Sequence, residues 1–521
     1  MPISQSDLLL KLIKSMTKAE KRNFKLYSKR LHNEGDARIL QLFDILDKQR
    51  QYSEDEVLEK LSLQKNQYIN LKRLLYEHLL TSLRLVHIRK DMEIEARELL
   101  DYASILYGKG LYIQALKILQ RAKSFTEKNK LDYLLLEIIE FEKKIESRHI
   151  TRSSTERMDE LTAEASMINR RVTNIVALSN LKLKLQRLFI NQGYIRDKQD
   201  QKQIEQLFQE YLPHGAHFNF SFFEKIYLFQ SYFWYHYIQL QFERCHHFAQ
   251  DWVNLFQENP PMIEKDVDMY MKGLHHLLTT SFYLKDYPTF THTLDTLERF
   301  RKESYPSFNM NSKILSFLYV HQGRLNKSFI EGTFSEGIQQ HVPRTLKRIQ
   351  GYKNKLDPHK IMILYYKIAW MYFADGQPGK AIDYLNKIIN DPARHLRDDI
   401  QIYARLLFLM AHYDLKNYDL LEYLIAGTQR MFEKVQEQGT YHSDVLQFMK
   451  KIASSNPDDS MSLFRQFLQR LKELEKNPFE KRAFVYLDMI SWIESKLAGK
   501  SVKAIASDKF TSIETATHPF S

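Results

Sequence analysis

The sequence predicts an all-α fold, and three observations support this prediction. Only 15 glycines and 13 prolines interrupt 521 residues, too few for the turns of a many-stranded sheet protein. Residues with high helix propensity, such as Leu, Lys, Glu and Gln, fill the stretches between them. Apolar residues in these stretches recur at the spacing of a helix rather than of a strand. We therefore expect amphipathic helices joined by short turns.

The N-terminal residues predict a compact helical module. Thr17 with Glu20, and Ser53 with Glu56, match the capping box, in which two side chains satisfy backbone N–H groups that are free at the start of a helix. Residues 61–63 then form a turn that leads into a long final helix. The module is thus expected to consist of several short helices followed by one long helix.

One helix of this module has a basic face. Phe24 and Tyr27 share its apolar side, whereas five cations fall within an arc of about 100° on the opposite side. These cations are Lys18, Lys21, Arg22, Lys25 and Lys29. Residues 1–90 hold 18 Lys and Arg against 11 Asp and Glu. This excess of 7 positive charges is more than half of the net charge of the whole chain, which is +12. The ordinary interpretation of such a face is that it is simply exposed to solvent. The functional interpretation is that it contacts phosphates or an acidic partner.

A unit of helix, tight turn and helix recurs with small residues at matching places. In one copy Ala103 precedes Gly110 by seven residues, and Ala115 follows that glycine by five. In a second copy Ala369, Gly376 and Ala381 have the same two intervals. Such spacing indicates two helices that pack closely across a glycine turn.

This spacing resembles the tetratricopeptide repeat (TPR), in which small residues let two helices approach and glycine ends the first helix with a left-handed backbone. The resemblance implies an α-solenoid of about eight helix pairs. Weaker copies have predicted turns at residues 241–242, 285–287, 323–325 and 417–419. The units average about 43 residues, longer than the roughly 34 that are usual for this repeat. Cys245, Phe290 and Ser328 stand where alanine is expected.

The repeat pattern fades beyond about residue 440. Two helices, near residues 460–475 and 479–497, are predicted to cap the open end of the array. The small polar residues from Gly499 onward predict a flexible tail. The predicted domains are therefore a basic helical module (1–90), TPR-like helical repeats (91–436), capping helices (437–498) and a tail (499–521).

Composition predicts a cytoplasmic protein that is not inserted in a membrane. The single cysteine, Cys245, allows no intramolecular disulfide, which is typical of a reducing compartment. The first residues lack the basic leader of a signal peptide. No stretch reaches the roughly 20 apolar residues that a membrane helix needs.

No motif predicts catalysis, a cofactor or a metal. The segment from Gly376 to Ala381 looks like a phosphate-binding loop, but its first glycine is missing and Ala381 replaces the hydroxyl that binds magnesium. Two histidine pairs, 246–247 and 275–276, have side chains about 100° apart on a helix, so neither pair holds an ion by itself. No nucleophile, base and orienting acid can be assembled. We therefore expect a non-catalytic protein.

A dense aromatic run occupies residues 218–237. Most of its rings recur at helical spacing and are expected to lie in the core. The run is too dense for one buried stripe, so some rings are expected to face outward, and Tyr232 and Tyr235 are the predicted ones. Exposed tyrosines in a groove are frequent anchors for a bound peptide.

These features favour a protein–protein interaction scaffold that binds a peptide or protein segment in the groove of the repeats. The alternative is a cytoplasmic regulator that binds nucleic acid through residues 1–90 and senses a partner through its repeats. In domain order this alternative is similar to bacterial regulators that pair a DNA-binding head with TPRs. Residues 53–86 would form its helix-turn-helix, although the second helix is long and no dimerisation pattern is visible. The residues offered to a DNA groove would be Lys65, Asn66, Gln67 and Asn70.

Overall fold

The computed structural model describes residues 5–30, 34–148, 155–213, 220–352, 355–390, 398–434 and 439–517. Regular secondary structure in these ranges is entirely helical, which confirms the all-α prediction. None of the helices in these ranges is long and apolar enough to cross a membrane. The chain divides into two compact units, Met1–Thr173 and Asn174–Ser521. This division falls inside a long helix, whereas the sequence predicted a boundary near residue 90.

The described helices of the first unit are α1 (Gln5–Ser15), α2 (Lys18–Arg30), α3 (Glu34–Lys48), α4 (Glu54–Leu61), α5 (Lys65–His87), α6 (Met92–Gly108), α7 (Tyr112–Lys128), α8 (Asp132–Arg148) and the start of α9 (Thr155–Gln192). Those of the second unit, after the end of α9, are α10 (Lys198–Tyr211), α11 (Phe222–Ile238), α12 (Phe242–Gln257), α13 (Pro260–Lys265), α14 (Val267–Leu284), α15 (Tyr287–Ser304), α16 (Met310–Glu331), α17 (Phe334–Gln340), α18 (Val342–Tyr352), α19 (Pro358–Ala374), α20 (Pro378–Ile389), α21 (Asp398–Asp414), α22 (Tyr418–Lys434), α23 (Thr440–Ala453), α24 (Pro457–Leu474), α25 (Lys481–Tyr486), α26 (Met489–Ala498) and α27 (Val502–Thr517).

Two N-terminal helices begin at the predicted caps. The carboxylate of Glu20 accepts a hydrogen bond from the backbone N–H of Thr17 (2.7 Å), and Thr17 Oγ1 accepts one from the N–H of Glu20 (3.2 Å). Ser53 Oγ accepts from the N–H of Glu56 (3.4 Å), and Ser62 turns the chain toward α5 with a φ of 49°. The apolar faces of α1 to α5 form one core, which includes Ile13, Phe24, Phe43, Tyr68 and Leu75.

Ten residues in the described part of the chain have positive φ, and six of them lie in the turns of helix pairs that share one pattern of burial. These six residues are Gly110, Leu240, Lys285, Gly332, Gly376 and Lys416, with φ between 57° and 78°. The residue seven positions before each turn is buried, namely Ala103, Phe233, Leu278, Leu325, Ala369 and Leu409. The residue five positions after each turn is also buried, namely Ala115, Cys245, Phe290, Gly337, Ala381 and Leu421. The two helices of each of these six pairs contact each other, and both positions are buried at each of the six turns.

One predicted turn, at residues 323–325, is wrong. Gly323 is buried in the middle of α16, and the chain turns instead at Gly332. A Cβ atom at Gly323 would lie 2.8 Å from Leu294 Cδ1, so this glycine lets α15 approach α16. The shift also places Gly337, rather than Ser328, five residues after the turn. The other three weaker turns lie at the predicted places.

The structure also differs from the prediction of a flexible tail beyond Gly499. Residues Val502–Thr517 form helix α27, and only residues 518–521 of that tail lie outside the described part. Val502 and Ile505 are buried one turn apart, and the Phe510 ring meets the Tyr287 ring edge-on at 4.8 Å. A short apolar stripe with alanines between its members is therefore enough to hold this helix against the unit.

We predict that Gly332→Ala destabilises the protein more than Gly376→Ala. Both glycines have positive φ, which costs an alanine roughly 1 kcal/mol. A Cβ at Gly332 would also lie 2.8 Å from the backbone nitrogen of Ser507 in α27, whereas Gly376 faces open space. Urea-induced unfolding of the full chain should show an additional loss of about 1–3 kcal/mol for Gly332→Ala. Equal losses would contradict the packing of α27 on this turn.

Candidate functional site

The five predicted cations of α2 lie around one depression of about 410 Å³. Leu26, about half exposed, and Asp47 complete its lining. The ammonium of Lys21 pairs with Asp47 (2.5 Å), and that of Lys25 pairs with Asp44 (2.6 Å). Among the described residues, the other three cations have no carboxylate within 4.0 Å, namely Lys18, Arg22 and Lys29. The basic face is therefore partly neutralised by α3.

The two predicted anchor tyrosines are half-buried rather than outward-facing. The ring of Tyr232 stacks on that of Phe248 (4.6 Å between centroids) and contacts that of Phe208 (5.0 Å). The ring of Tyr235 lies 4.2 Å from the same Phe208 ring. The reason is α10, whose Phe208 covers this part of α11. This cover could not be predicted from the sequence, because α10 and the aromatic run belong to different segments.

The histidine pair 246–247 and the loop-like glycine segment contact neighbouring side chains of the fold. His246 contacts Thr280 Oγ1 (3.3 Å), and His247 lies 3.6 Å from the carboxylate of Asp251. Within the described ranges, no group of three or more His, Cys, Asp or Glu side chains is arranged to hold a metal ion. Lys380, in the segment that looks like a phosphate loop, lies over the ring of Tyr372 (5.5 Å).

A partly exposed stripe runs along α14 and is the start of a different candidate site. Lys272, His275, Thr279 and Phe282 follow one another at three- or four-residue intervals, so they share one face of the helix. The residues between them, such as Leu274 and Leu278, are buried. Helix α14 therefore has one face in the core and one face that offers a lysine, a histidine and an aromatic ring.

Helix α19 repeats the arrangement. Lys360, Ile363, Lys367 and Trp370 have the same intervals as the stripe of α14 and are likewise at least partly exposed. Helix α16 contacts both α14 and α19. The two stripes are thus connected through α16.

Contacts of α16 fix side chains of both stripes. The ring of Tyr319 stacks on that of His275, with centroids 4.2 Å apart and planes 10° apart. The ammonium of Lys367 donates a hydrogen bond to Asn326 Oδ1 (2.8 Å) and lies 5.4 Å from the centre of the Phe282 ring. Both groups are therefore held in place by neighbours that carry no charge.

Four lysines of α9, α14 and α19 act on one another or on His275, and we call them the lysine cluster. Its members are Lys182, Lys272, Lys360 and Lys367. Burial, then repulsion from Lys182 and Lys360, lowers the pKa of Lys272 to about 8, against a smaller opposing effect of Asp266. Burial alone lowers the pKa of Lys367 to about 8. The cluster thus concentrates positive charge where water is partly excluded.

The charges of the lysine cluster also act on His275. Burial, followed by the charges of Lys360, Lys272 and Lys367, lowers its pKa to about 3. The imidazole is therefore neutral at physiological pH, and it can both donate and accept a hydrogen bond. It stands among three cations without adding to their charge.

Two lysines of the cluster, Lys182 and Lys272, lack a nearby counter-charge in the described part of the chain. Among the described residues, no carboxylate lies within 4.0 Å of the ammonium of Lys182 or Lys272. The carboxylate of Asp266 is engaged at the start of α14, where it accepts from the N–H of Met269 (3.0 Å). Lys182 lies over the ring of Tyr227 (5.6 Å). Buried charge without a counter-charge costs stability, and such groups are concentrated at binding and catalytic sites.

The lysine cluster was not predicted from the sequence. Its members come from helices that are far apart along the chain, and each one alone looks like an ordinary surface lysine. One signal was available. Lys272 and Lys360 each precede an aromatic residue by ten positions, Phe282 and Trp370, on the first helix of a pair. His275 was noted only as half of a histidine pair.

Comparisons with known proteins do not assign a function. No protein-family model, curated protein or solved structure matches the chain. Function is therefore inferred from the geometry described above.

We predict that Lys272→Met stabilises the ligand-free protein at neutral pH by up to about 3 kcal/mol, because it removes a charge whose pKa falls from 10.5 to about 8 on folding. Between these two values the unfolded chain binds more protons than the folded one, so wild-type stability rises with pH in that window. The gain should be full below pH 8 and should shrink toward pH 10.5.

Urea-induced unfolding at pH 7.5 and at pH 10 measures this gain. Lys302→Met, which changes an exposed lysine of α15, is the matched control and should leave stability nearly unchanged. A gain at Lys272 that does not depend on pH would show that packing, not charge, is responsible.

Proposed function

We propose that this chain is a non-catalytic, cytoplasmic scaffold with TPR-like repeats, which binds a peptide or protein segment in a groove of the second unit. The observation that carries the proposal is the shared geometry of the turns. Turns at Leu240, Lys285, Gly332, Gly376 and Lys416 follow one another at intervals of 45, 47, 44 and 40 residues. Burial seven residues before and five residues after each turn matches the close contact of a TPR helix pair.

The exposed stripes support a binding role for the first helix of each pair. In α14 and α19 the stripe combines lysines with an aromatic residue, Phe282 or Trp370. Aromatic side chains and lysines together suit an acidic segment that also carries apolar residues. A surface made of several packed helices is already formed before binding, which lowers the ordering cost.

We expect Trp370→Ala to weaken binding of the protein partner at least about tenfold, because aromatic side chains are frequent hot spots. The partner is first identified by co-purification with the full chain, and its affinity is then measured by calorimetry. Tyr423→Ala is the matched control, since Tyr423 is an aromatic residue of α22 that is 69% exposed. Equal losses in both variants, or a loss only at Tyr423, would contradict binding at the stripes.

A second candidate function is nucleic-acid binding through the first unit. Three cations around the depression of α2 lack carboxylate partners among the described residues, which favours contact with phosphates. Helices α4 and α5 also form a helix-turn-helix in sequence order, with Lys65, Asn66 and Asn70 exposed. Gln67 accepts a hydrogen bond from the N–H of Gln64 (3.1 Å) and so takes part in the cap of α5.

Duplex DNA binding by the full chain across a salt series tests this candidate. If the depression contacts phosphates, replacing Lys18, Arg22 and Lys29 together by Gln should reduce the slope of log affinity against log salt by roughly 2–3. The matched control replaces Lys109, Lys117 and Arg121, which are exposed cations of the same unit. No binding at low salt, or the same change of slope in both triple variants, would count against the regulator.

A further inference from the structure

The last described helix, α27, lies along the turns of successive helix pairs. We propose that this row of turns is a docking surface for an amphipathic helix of a partner protein, and that α27 occupies it in the free chain as an autoinhibitory helix. This surface is additional to the scaffold function, which rests on the exposed stripes of α14 and α19. Three features of α27 support it, namely its contacts with the turns, its two faces and the weakness of its attachment.

The contacts of the C-terminal helices begin at the two turns that come last in the row. The ammonium of Lys496 in α26 pairs with Asp414 (2.7 Å) at the turn between α21 and α22. The ammonium of Lys503 in α27 pairs with Asp375 (3.8 Å) at the turn between α19 and α20. Lys503 also donates a hydrogen bond to Ser335 Oγ (2.7 Å), which lies at the start of α17. A carboxylate beside each of these turns therefore meets a lysine.

Two further contacts continue the row in the same direction. At the turn between α16 and α17, a Cβ on Gly332 would lie 2.8 Å from the backbone nitrogen of Ser507. At the turn between α14 and α15, the ring of Tyr287 meets that of Phe510 edge-on, with centroids 4.8 Å apart. Residues 496–510 thus meet four consecutive turns in the reverse of their order along the chain.

Helix α27 meets the turns with one face and α26 with another. Lys503, Ser507 and Phe510 follow one another at intervals of four and three residues, so they share the face toward the turns. On the other face Ile505 is buried, and Lys509 pairs with the carboxylate of Glu494 in α26 (2.8 Å). The face toward the turns therefore presents a lysine, a small residue and an aromatic ring in sequence.

The turns determine the class of helix that fits. The carboxylate of Asp375 favours a cation, and the ring of Tyr287 favours an aromatic residue two helical turns further on. Between them Gly332 has no side chain, so a helix backbone can come close where it carries small residues, as at Ala506 and Ser507. Helices that bind a preformed surface are recognised by such anchors at intervals of three, four and seven residues. The fitting partner is therefore a helix with a cation, a small residue and an aromatic ring over eight positions.

The attachment of α27 is weak for a helix of 16 residues. Of the side chains described in α27, only those of Val502 and Ile505 are buried. The ion pairs involve Lys503 and Lys509, whose side chains are 43% and 41% exposed, and such pairs contribute little to stability. An open cleft of about 490 Å³ lies between α27 and helices α24 and α26. Packing beside Ile505 is therefore incomplete.

The link before α27 allows this helix to leave without disturbing α26. Gly499 ends α26 with a φ of 62°, and Lys500 and Ser501 after it are exposed. A single helix of this length is marginal in water, so α27 loses its helical structure when it leaves the turns. Replacement of α27 by a partner helix is thus a local event.

The test uses the full chain and a fluorescein-labelled synthetic peptide of residues 500–517, which stands in for the partner helix. In the wild type the chain's own α27 competes with the peptide. The double variant Val502→Asp with Ile505→Asp places two charges at buried positions, so its α27 is released. Fluorescence anisotropy should show that the released variant binds the peptide at least about tenfold more tightly than the wild type. A peptide of the same composition in scrambled order should not bind.

Glycine variants assign the binding to the turns. In the released variant, an added Gly332→Ala should weaken peptide binding roughly tenfold or more, because the new Cβ meets the helix backbone. Gly376→Ala is the matched control, since Gly376 also has positive φ but a Cβ there meets open space. No binding to the released variant, equal affinity of the wild type and the released variant, or equal effects of the two glycine variants overturns the proposal.

Hydrogen exchange of the wild-type chain provides a test without any variant. The amides of α27 should exchange at least about 100-fold faster than those of α26, in which Trp492 and Ile493 are fully buried. Exchange of both helices at one rate would show that α27 leaves only on global unfolding, which overturns the autoinhibitory role. A wild-type dimer that the released variant converts to monomers in light scattering would assign the turns to α27 of a second copy and overturn the proposed partner.

Discussion

The close approach of two helices at each turn is the constraint on which the second unit depends. A left-handed residue ends the first helix, and the buried positions on either side of it bring the helices into contact. Alanine is one way to meet this constraint, as at Ala369 and Ala381. Other pairs meet it with larger side chains, namely Phe233 with Cys245 and Leu278 with Phe290. The helix pairs therefore have buried residues at both positions in common, but not the size of those residues.

This packing also explains how charge comes to be placed at the lysine cluster. A helix that is buried on one face by its own pair and by the next helix has only a narrow stripe left for polar residues. In α14 and α19 that stripe carries lysines whose surroundings exclude much of the water. The described neighbours of Lys367 are an aromatic ring and a neutral amide, so the fold holds this charge without neutralising it. A charge held in this way lowers the stability of the folded chain.

Local signals made the helices and most turns predictable from the sequence. Thr17 with Glu20 acts within four residues, and Gly376 ends a helix by its own conformation, so no knowledge of distant residues is needed. The predicted turn at Gly323 was wrong because this glycine makes room for Leu294, which lies in another helix. The half-burial of Tyr232 depends in the same way on Phe208. The lysine cluster could not be predicted for the same reason. Nothing in the residues near Lys272 indicates that Lys182 and Lys360 act on it.

The contact between α27 and the turn at Gly332 has a consequence for how the second unit forms during synthesis. Gly332 and Ser507 are 175 residues apart, so the turn leaves the ribosome long before α27 exists. Until then Val502 and Ile505 cannot cover their site, and the helices around Gly332 stay open to solvent on that side. Closure of this long loop can therefore take place only after nearly all of the second unit has been synthesised.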